Sequence, residues 1–221
     1  MNRITFPGNP WPAGHGIKQF EWSGRLEPET GLWFDLHLCS EDYYAEDEAE
    51  EEEDDNKETS DWKSKVVWSN YHECTLSSSC WGHAGFLVAT RSKQLDFSKL
   101  GTRAFRVDRL PAPEPEDRAF GIYLLGHDGV ADHRLQFSPR RGKSKNDFDL
   151  DWKGKIALEY AGNDEFEFKF HAHLRHIHFA GFRVPKGTKQ AAALDLLAPF
   201  IAGKTRYRSS RRKGELWLVP M

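Results

Sequence analysis

The chain has 221 residues, of which 38% are hydrophobic and 13% aromatic, and this is enough to bury the core of one large domain or two small ones. No apolar run approaches the roughly 20 residues that a membrane-spanning helix requires, and the N-terminus lacks the apolar stretch of a signal peptide. The three cysteines do not make a disulfide framework, so we expect a soluble protein of the reducing cytoplasm.

Strand patterns open the chain. One strand-like segment ends at Phe6, and a second surrounds Trp22, which is followed at a distance of two by Gly24. About 40 additional residues then lie between Leu38 and Cys80, and they include an acidic run. Within them, residues 65–72 are rich in the β-branched and aromatic side chains that favour strands, so we predict an added strand there.

The second half shows the cleaner pattern. Between Phe166 and Leu174, apolar and polar residues alternate with the period of two that is typical of a half-buried strand. Residues 155–160 and 178–184 predict two further strands. Residues 189–202 have the apolar spacing of a helix, which we expect to end early or to kink at Pro199.

Several of these features recur in the same order in both halves. Trp22-Ser-Gly matches Trp152-Lys-Gly, and His83-Ala-Gly-Phe matches Phe179-Ala-Gly-Phe. We therefore predict a mostly β, α+β fold made by tandem duplication of a module with the order β-hairpin, strand, short helix, strand. The first module covers residues 1–127 with an insertion at about 39–79, and the second covers 132–221, both packed as one pseudo-symmetric body.

Charge is distributed unevenly along the chain. Residues 1–130 contain 13 Lys and Arg against 24 Asp and Glu, whereas residues 131–221 contain 18 against 10. Most of the acidic excess comes from residues 46–55, where nine of ten side chains are acidic. Like charges repel one another, so this segment is typical of a solvated loop, and it can also steer a cationic partner. Opposite charge on the two halves also fits head-to-tail association of copies.

Two groups of residues have metal-ligating chemistry. His171 and His173 share one strand face, and His176 and His178 follow a turn or bulge, so the four could hold zinc in a metal-dependent enzyme. The other group comprises His72, Cys74, Cys80 and His83, but its spacing is not that of a zinc finger. Neither group is convincing enough for us to predict a metal or another cofactor.

A basic strip covers residues 204–213 and interleaves Arg and Lys with Tyr207. Such a strip could bind a phosphodiester backbone, although the acidic run would oppose this binding. A hairpin leading into the last strand explains the same pattern without a ligand. The chain has no Gly-x-Ser-x-Gly nucleophile elbow, no phosphate-binding Gly-rich loop and no His-Glu-x-x-His motif.

A β-rich chain with an acidic protrusion, many tryptophans and no catalytic motif looks like the immunity proteins that neutralise bacterial toxins. This resemblance is one of architecture and composition. It implies a non-catalytic inhibitor that covers a basic toxin or enzyme surface. The steering residues would be Glu46, Asp47, Glu48, Glu50, Glu51, Glu52, Glu53, Asp54 and Asp55, and the aromatic anchors would be the exposed members of a set including Tyr43, Tyr44, Trp62 and Trp68.

Overall fold

The alternating patterns form one large antiparallel sheet in the computed structural model, which describes residues 1–45, 60–140 and 146–221. The described strands are β1 (Arg3–Thr5), β2 (His15–Glu27), β3 (Gly31–Ser40), β4 (Thr75–Ser77), β5 (Phe86–Ala89), β6 (Phe105–Val107), β7 (Gly121–Tyr123), β8 (His127–Pro139), β9 (Asp147–Ala157), β10 (Phe168–Arg183), β11 (Tyr207–Arg212) and β12 (Glu215–Pro220). The mostly β prediction is confirmed.

Helices are few and short in the described residues. They are α1 (Lys65–Ser69) and α2 (Gln190–Leu197), with 3-10 turns at Asp61–Lys63, Phe97–Thr102, Pro115–Asp117, Glu159–Ala161 and Ala198–Phe200. No helix in this part of the chain is long and apolar enough to cross a membrane.

The strands are connected into a ring. Their order in the sheet is β1-β2-β3-β4-β7-β8-β9-β10-β12-β11, with β5 beside β3 and β6 beside β8. The long strand β10 also pairs antiparallel with β1 and parallel with β2, where Phe179 lies opposite Trp22. These pairings join the first strands of the chain to the last ones, so the sheet closes around its apolar side chains.

Trp22 lies at the centre of the core. Its ring is fully buried and stacks on Phe137 at 4.3 Å between centroids, with Phe179 at 4.7 Å and Phe148 at 5.3 Å. All three partners come from the second half of the chain. The two halves therefore share one continuous core. Each buried aromatic ring removes roughly 150–250 Å² from water, so these contacts between the halves contribute strongly to the packing energy.

Some features agree with a duplication, but others differ between the halves. Both β1–β2–β3 and β8–β9–β10 are antiparallel meanders, and Trp22 and Trp152 are both fully buried. The registers differ, since Ile4, two residues before Phe6, faces His15 in the first meander, whereas Leu135, two residues before Phe137, faces Trp152 in the second. The proposed boundary at residues 128–131 lies within strand β8. The duplication and its two modules stay a prediction.

The strand predicted at residues 65–72 is wrong. Lys65–Ser69 form helix α1, whose first turn is capped by the Ser64 hydroxyl as it accepts a hydrogen bond from the Val67 amide. Helix α1 buries Trp68 completely. A serine cap and one deeply buried indole outweigh the strand preference of two valines, because strand propensity depends strongly on the surrounding packing.

The predictions for the second half agree with the structure in part. The strand predicted at residues 155–160 is the end of β9, which stops at Ala157 before the 3-10 turn at Glu159–Ala161, and residues 178–184 continue β10 instead of forming a separate strand. Along β10, Phe170, Ala172 and Leu174 are buried while the residues between them face outward, as the alternation predicts. The helix of residues 189–202 is observed as α2, and it changes to a 3-10 turn at Ala198–Phe200 around Pro199.

Candidate functional site

The aromatic residues expected to anchor a partner are mostly core residues. Tyr43, Trp62 and Trp68 are each exposed by 2% or less, so the prediction that they contact a partner is not supported by their position. Their polar atoms are satisfied internally: the Tyr43 hydroxyl donates to the Leu124 carbonyl, and the Trp62 indole donates to the Pro7 carbonyl. Buried tyrosine and tryptophan are stable in a core when their polar atoms find such acceptors.

Tyr44 is half-buried, and its hydroxyl donates to the Lys65 carbonyl at 2.8 Å. Together with Tyr43, Trp62 and Trp68, it fastens the chain on both sides of residues 46–59 to the body of the protein. The nine acidic residues between Glu46 and Asp55 lie outside the described residues, so their predicted role stays a prediction.

The histidines of β10 pair with aspartates of β9. His171 Nε2 lies 2.6 Å from Asp151 Oδ2, and His178 Nδ1 lies 2.7 Å from Asp147 Oδ1. Burial raises the pKa of Asp151, but the hydrogen bond and charge of His171 outweigh it, so this pKa is lower than usual. Within the described ranges, no group of three His, Cys, Asp or Glu side chains is placed to hold a metal ion.

The second candidate metal group is dispersed. Cys74 is fully buried in the core, whereas the side chain of His72 is largely exposed. Cys80 Sγ lies 4.0 Å from His37 Nδ1, and His83 Nδ1 is hydrogen bonded to the Arg118 carbonyl at 2.9 Å. The four residues therefore have different partners.

The basic strip forms β11 and the turn into β12. Tyr207, the aromatic residue interleaved with the basic side chains, is buried and packs near Phe182. Burial raises the pKa of Tyr207 above its usual value. The strip therefore offers exposed cations without the aromatic platform that single-stranded nucleic acid needs.

A different set of aromatic residues does reach the surface. Trp81, His127, Tyr123, Tyr71 and Tyr160 follow one another with successive ring centroids 5.1, 5.3, 6.1 and 6.5 Å apart. Trp81 is 47% exposed and Tyr160 is 67% exposed. We call this row the aromatic ridge. His127 is also exposed, whereas Tyr71 and Tyr123 are half-buried, so the row is a candidate binding surface.

The aromatic ridge lies next to the described residues that precede the acidic segment in the chain. The Tyr43 amide donates to the His72 carbonyl at 2.7 Å, so the chain entering residues 46–59 runs beside Tyr71 of the ridge. Ala45 and Ser60, which flank those residues, are both exposed.

A cleft of about 450 Å³ opens beside the aromatic ridge. Its apolar floor is formed by Phe120, Ile122 and Val130, and Trp81 and His127 belong to both the cleft and the ridge. The polar lining residues are His83, Glu116, Arg118, Asp128 and Glu159.

Arg118 organises one wall of the cleft. Although it is buried, its guanidinium is satisfied: Nη1 donates to Glu159 Oε1 at 2.7 Å and Nε donates to the Pro113 carbonyl at 3.1 Å. The same group lies over the ring of Phe166 at 5.3 Å. These two hydrogen bonds and the ion pair offset the cost of burying the arginine.

Two glycines of the β7–β8 hairpin make room for this arrangement. Gly126 has a φ of 124°, and a Cβ at this position would lie 2.4 Å from the Tyr160 ring. A Cβ at Gly129 would lie 2.2 Å from Glu159 Oε1. The tyrosine and the ion pair can therefore lie directly on the hairpin backbone.

Asp128 closes the turn of this hairpin. Its carboxylate accepts hydrogen bonds from the backbone amides of Leu125 at 3.0 Å and Tyr160 at 3.4 Å. Burial raises the pKa of Asp128, and these two hydrogen bonds only partly offset that effect. Asp128 therefore links the hairpin to the turn that carries Glu159 and Tyr160.

Sequence reasoning missed the aromatic ridge and the cleft. A usable signal was present in Cys80-Trp81-Gly82-His83, because a tryptophan beside glycine in a polar loop cannot bury itself within a strand. Gly126-His127-Asp128-Gly129 is a turn signal of the same kind. The spatial meeting of these two segments with Tyr71 and Tyr160 had no signal in the sequence.

Comparison with known proteins assigns no family. No protein-family model matches the sequence, and neither a curated protein nor a solved structure matches it significantly. The functional argument therefore depends on the site itself.

Proposed function

We propose that the chain is a non-catalytic protein-binding protein that covers a basic surface of its partner, in the manner of an immunity protein bound to a toxin. The observation that carries this proposal is the position of the aromatic ridge beside residues 43–45, which precede the acidic segment. The ridge supplies rigid aromatic contacts of the type that dominate protein interfaces. The acidic residues 46–55 supply long-range attraction to a cationic partner. The setting we propose is a bacterial cytoplasm.

The aromatic residues that support the proposal differ from those expected on sequence grounds. Trp81 and Tyr160 replace Tyr43, Trp62 and Trp68 as anchors, since only the former present their rings to solvent. Binding through Trp81 and Tyr160 costs little conformational entropy, because each aromatic side chain has only about two rotatable bonds to immobilise.

The proposal is tested by affinity capture from the native host with a ridge variant and a matched control. The ridge variant is Trp81→Ala with Tyr160→Ala. The control is Leu87→Ala with Leu194→Ala, which removes two exposed apolar side chains that are not part of the aromatic ridge. We expect the wild type and the control to retain one stoichiometric partner. We expect the ridge variant to lose about 2 kcal/mol of binding free energy, so that it binds the partner about thirtyfold more weakly.

If the captured partner has an enzymatic activity, one equivalent of the wild-type chain should inhibit it and the ridge variant should not. Capture of no partner, from a lysate in which the neighbouring genes are expressed, would contradict the proposal. Equal capture by the ridge variant would contradict the role of the aromatic ridge.

A further inference from the structure

The cleft beside the aromatic ridge has an immediate neighbour. A second cavity of about 730 Å³ shares Pro115, Arg118 and Glu159 with it. The second cavity is bounded by the proline-containing segment 110–115 and by the loop that carries Asp164, Glu165 and Phe166. We call the two cavities together the acidic groove.

The charges that line the acidic groove are unbalanced. Two lining residues are Arg or Lys, namely Arg118 and Lys155. Six are carboxylates: Glu114, Glu116, Asp128, Glu159, Asp164 and Glu165. Arg118 is already occupied by Glu159 and by the Pro113 carbonyl, so it does not neutralise the remaining acids. A groove with low-dielectric walls and one sign of charge concentrates the opposite charge.

Each cavity also has an aromatic side chain in its lining, and the ring in the second cavity is already covered by Arg118. Trp81 lines the first cavity, and Phe166, which is half-buried, lines the second. Indole and phenyl faces attract guanidinium and ammonium groups. The fold already uses this chemistry, since the guanidinium of Arg118 lies over Phe166.

We propose that the acidic groove binds an extended segment of the partner that carries at least two arginine or lysine side chains, one for each cavity. This inference rests on the proposed protein-binding function and names the part of the partner that the groove takes. A cationic side chain in the first cavity would meet Trp81 and Glu116, and one in the second cavity would meet Glu114, Asp164 and Glu165. A phosphodiester chain would be repelled by the same carboxylates.

The test uses a defined probe, a tetra-arginine peptide with an acetylated N-terminus and an amidated C-terminus, and isothermal titration calorimetry on the full chain at low salt. The groove variant is Glu116→Gln with Glu165→Gln, which removes one exposed carboxylate from each cavity. The control is Glu21→Gln with Asp195→Asn, which removes two exposed carboxylates that line neither cavity. Residues 46–55 are unchanged in all three proteins, so a difference in affinity between the variants reports on the substituted carboxylates.

We expect the groove variant to bind the peptide about fivefold more weakly or worse, since each exposed charge pair contributes a modest amount. The control should match the wild type, and the citrulline analogue of the peptide should show no difference between the three proteins. Equal affinity of the groove variant and the wild type would overturn the inference. An equal loss in the control would also overturn it.

Failure of the groove inference can be distinguished from failure of the proposed function. If the native partner is captured and its affinity is unchanged by Glu116→Gln with Glu165→Gln, the groove inference fails while the binding function stands. Specific peptide binding without any captured partner would support the groove and contradict the proposed function.

Discussion

His133 is a buried histidine among aromatic rings. It is fully buried beside Phe120 and Trp152, and its Nδ1 accepts a hydrogen bond from the Trp152 indole at 3.2 Å. Nε2 therefore carries the proton in the neutral ring, and it lies 3.8 Å from Asp108 Oδ2. Burial lowers the pKa of His133 to about 3.

This pKa predicts a loss of stability in acid. Between about pH 6.5 and pH 3 the unfolded chain binds a proton at this position that the folded chain does not. The free energy of unfolding should therefore fall as the pH falls through this window, by up to about 1.4 kcal/mol per pH unit. His133→Gln should remove this dependence. Urea unfolding at a series of pH values measures it.

The comparison of His133→Gln with the wild type separates the contribution of the histidine to the pH dependence of stability from the contributions of nearby acids. Burial raises the pKa values of Asp108 and Asp128. Their contribution to the free energy of unfolding therefore increases as the pH falls, which is opposite to the contribution of His133. Both proteins contain them. The difference in unfolding free energy at about pH 8 reports the packing cost of the substitution, and its change with pH reports the titration. A difference that is constant from about pH 8 to about pH 4 would contradict the prediction.

Strand β10 shows how an element accommodates an irregularity. Its pairing with β9 shifts register between Leu174 and Ile177, as the sequence predicts from the spacing of the histidines. His176 adopts a φ of 62° in this bulge. The amides that leave the ladder find side chains instead: Arg175 donates to Asn2, and His176 donates to Asp149. Satisfied amides make the bulge a stable feature of the strand.

Valine and glycine substitutions should have opposite relative effects on stability in the bulge and at a regular strand position. At His176, replacement by Val should cost about 1–2 kcal/mol, because a β-branched residue is disfavoured in the left-handed region, and replacement by Gly should cost less. At the exposed position Lys169 of the same strand, Gly should be the more destabilising change, by about 0.5–1 kcal/mol. Chemical denaturation measures all four variants. The same order at both positions would contradict this account of the bulge.

At the scale of the whole molecule, the two halves depend on each other. Trp22 is enclosed by Phe137, Phe148 and Phe179, and β10 pairs with both β1 and β2. Separating the halves would expose these rings on both fragments. Neither half could then bury enough apolar surface to offset the conformational entropy of folding.

We therefore predict that residues 1–126 and residues 127–221 do not fold when produced separately, whereas the full chain unfolds in one cooperative transition. Differential scanning calorimetry and the dispersion of amide proton signals check this prediction. The measurement contradicts a shared core if either fragment shows a cooperative transition of its own. Recovery of native signals after mixing the fragments would support it further.

Local sequence patterns predicted the secondary structure correctly where the residues of an element themselves determine its stability. The alternation along β10 and the helical spacing before Pro199 predicted the observed strand and the kinked helix. The pattern failed at residues 65–72, where the serine cap and the burial of Trp68 against Tyr43 and Trp62 produce a helix. Trp68 also packs against Phe6 and Trp11, and these residues and Tyr43 are distant in the chain, so no local preference reports its burial.

By itself, the sequence determined the β-rich class, the alternation of buried and exposed residues in the second half and the uneven distribution of charge, because these depend on neighbouring residues and on composition. Only the tertiary structure decided which aromatic residues are exposed. Tyr43 and Trp68 pack against each other and donate hydrogen bonds to the carbonyls of Leu124 and Trp62, while Trp81 and Tyr160 lie on the hairpin surface. Exposure is a property of the whole packed chain, since each aromatic side chain is buried or exposed according to what distant segments place against it.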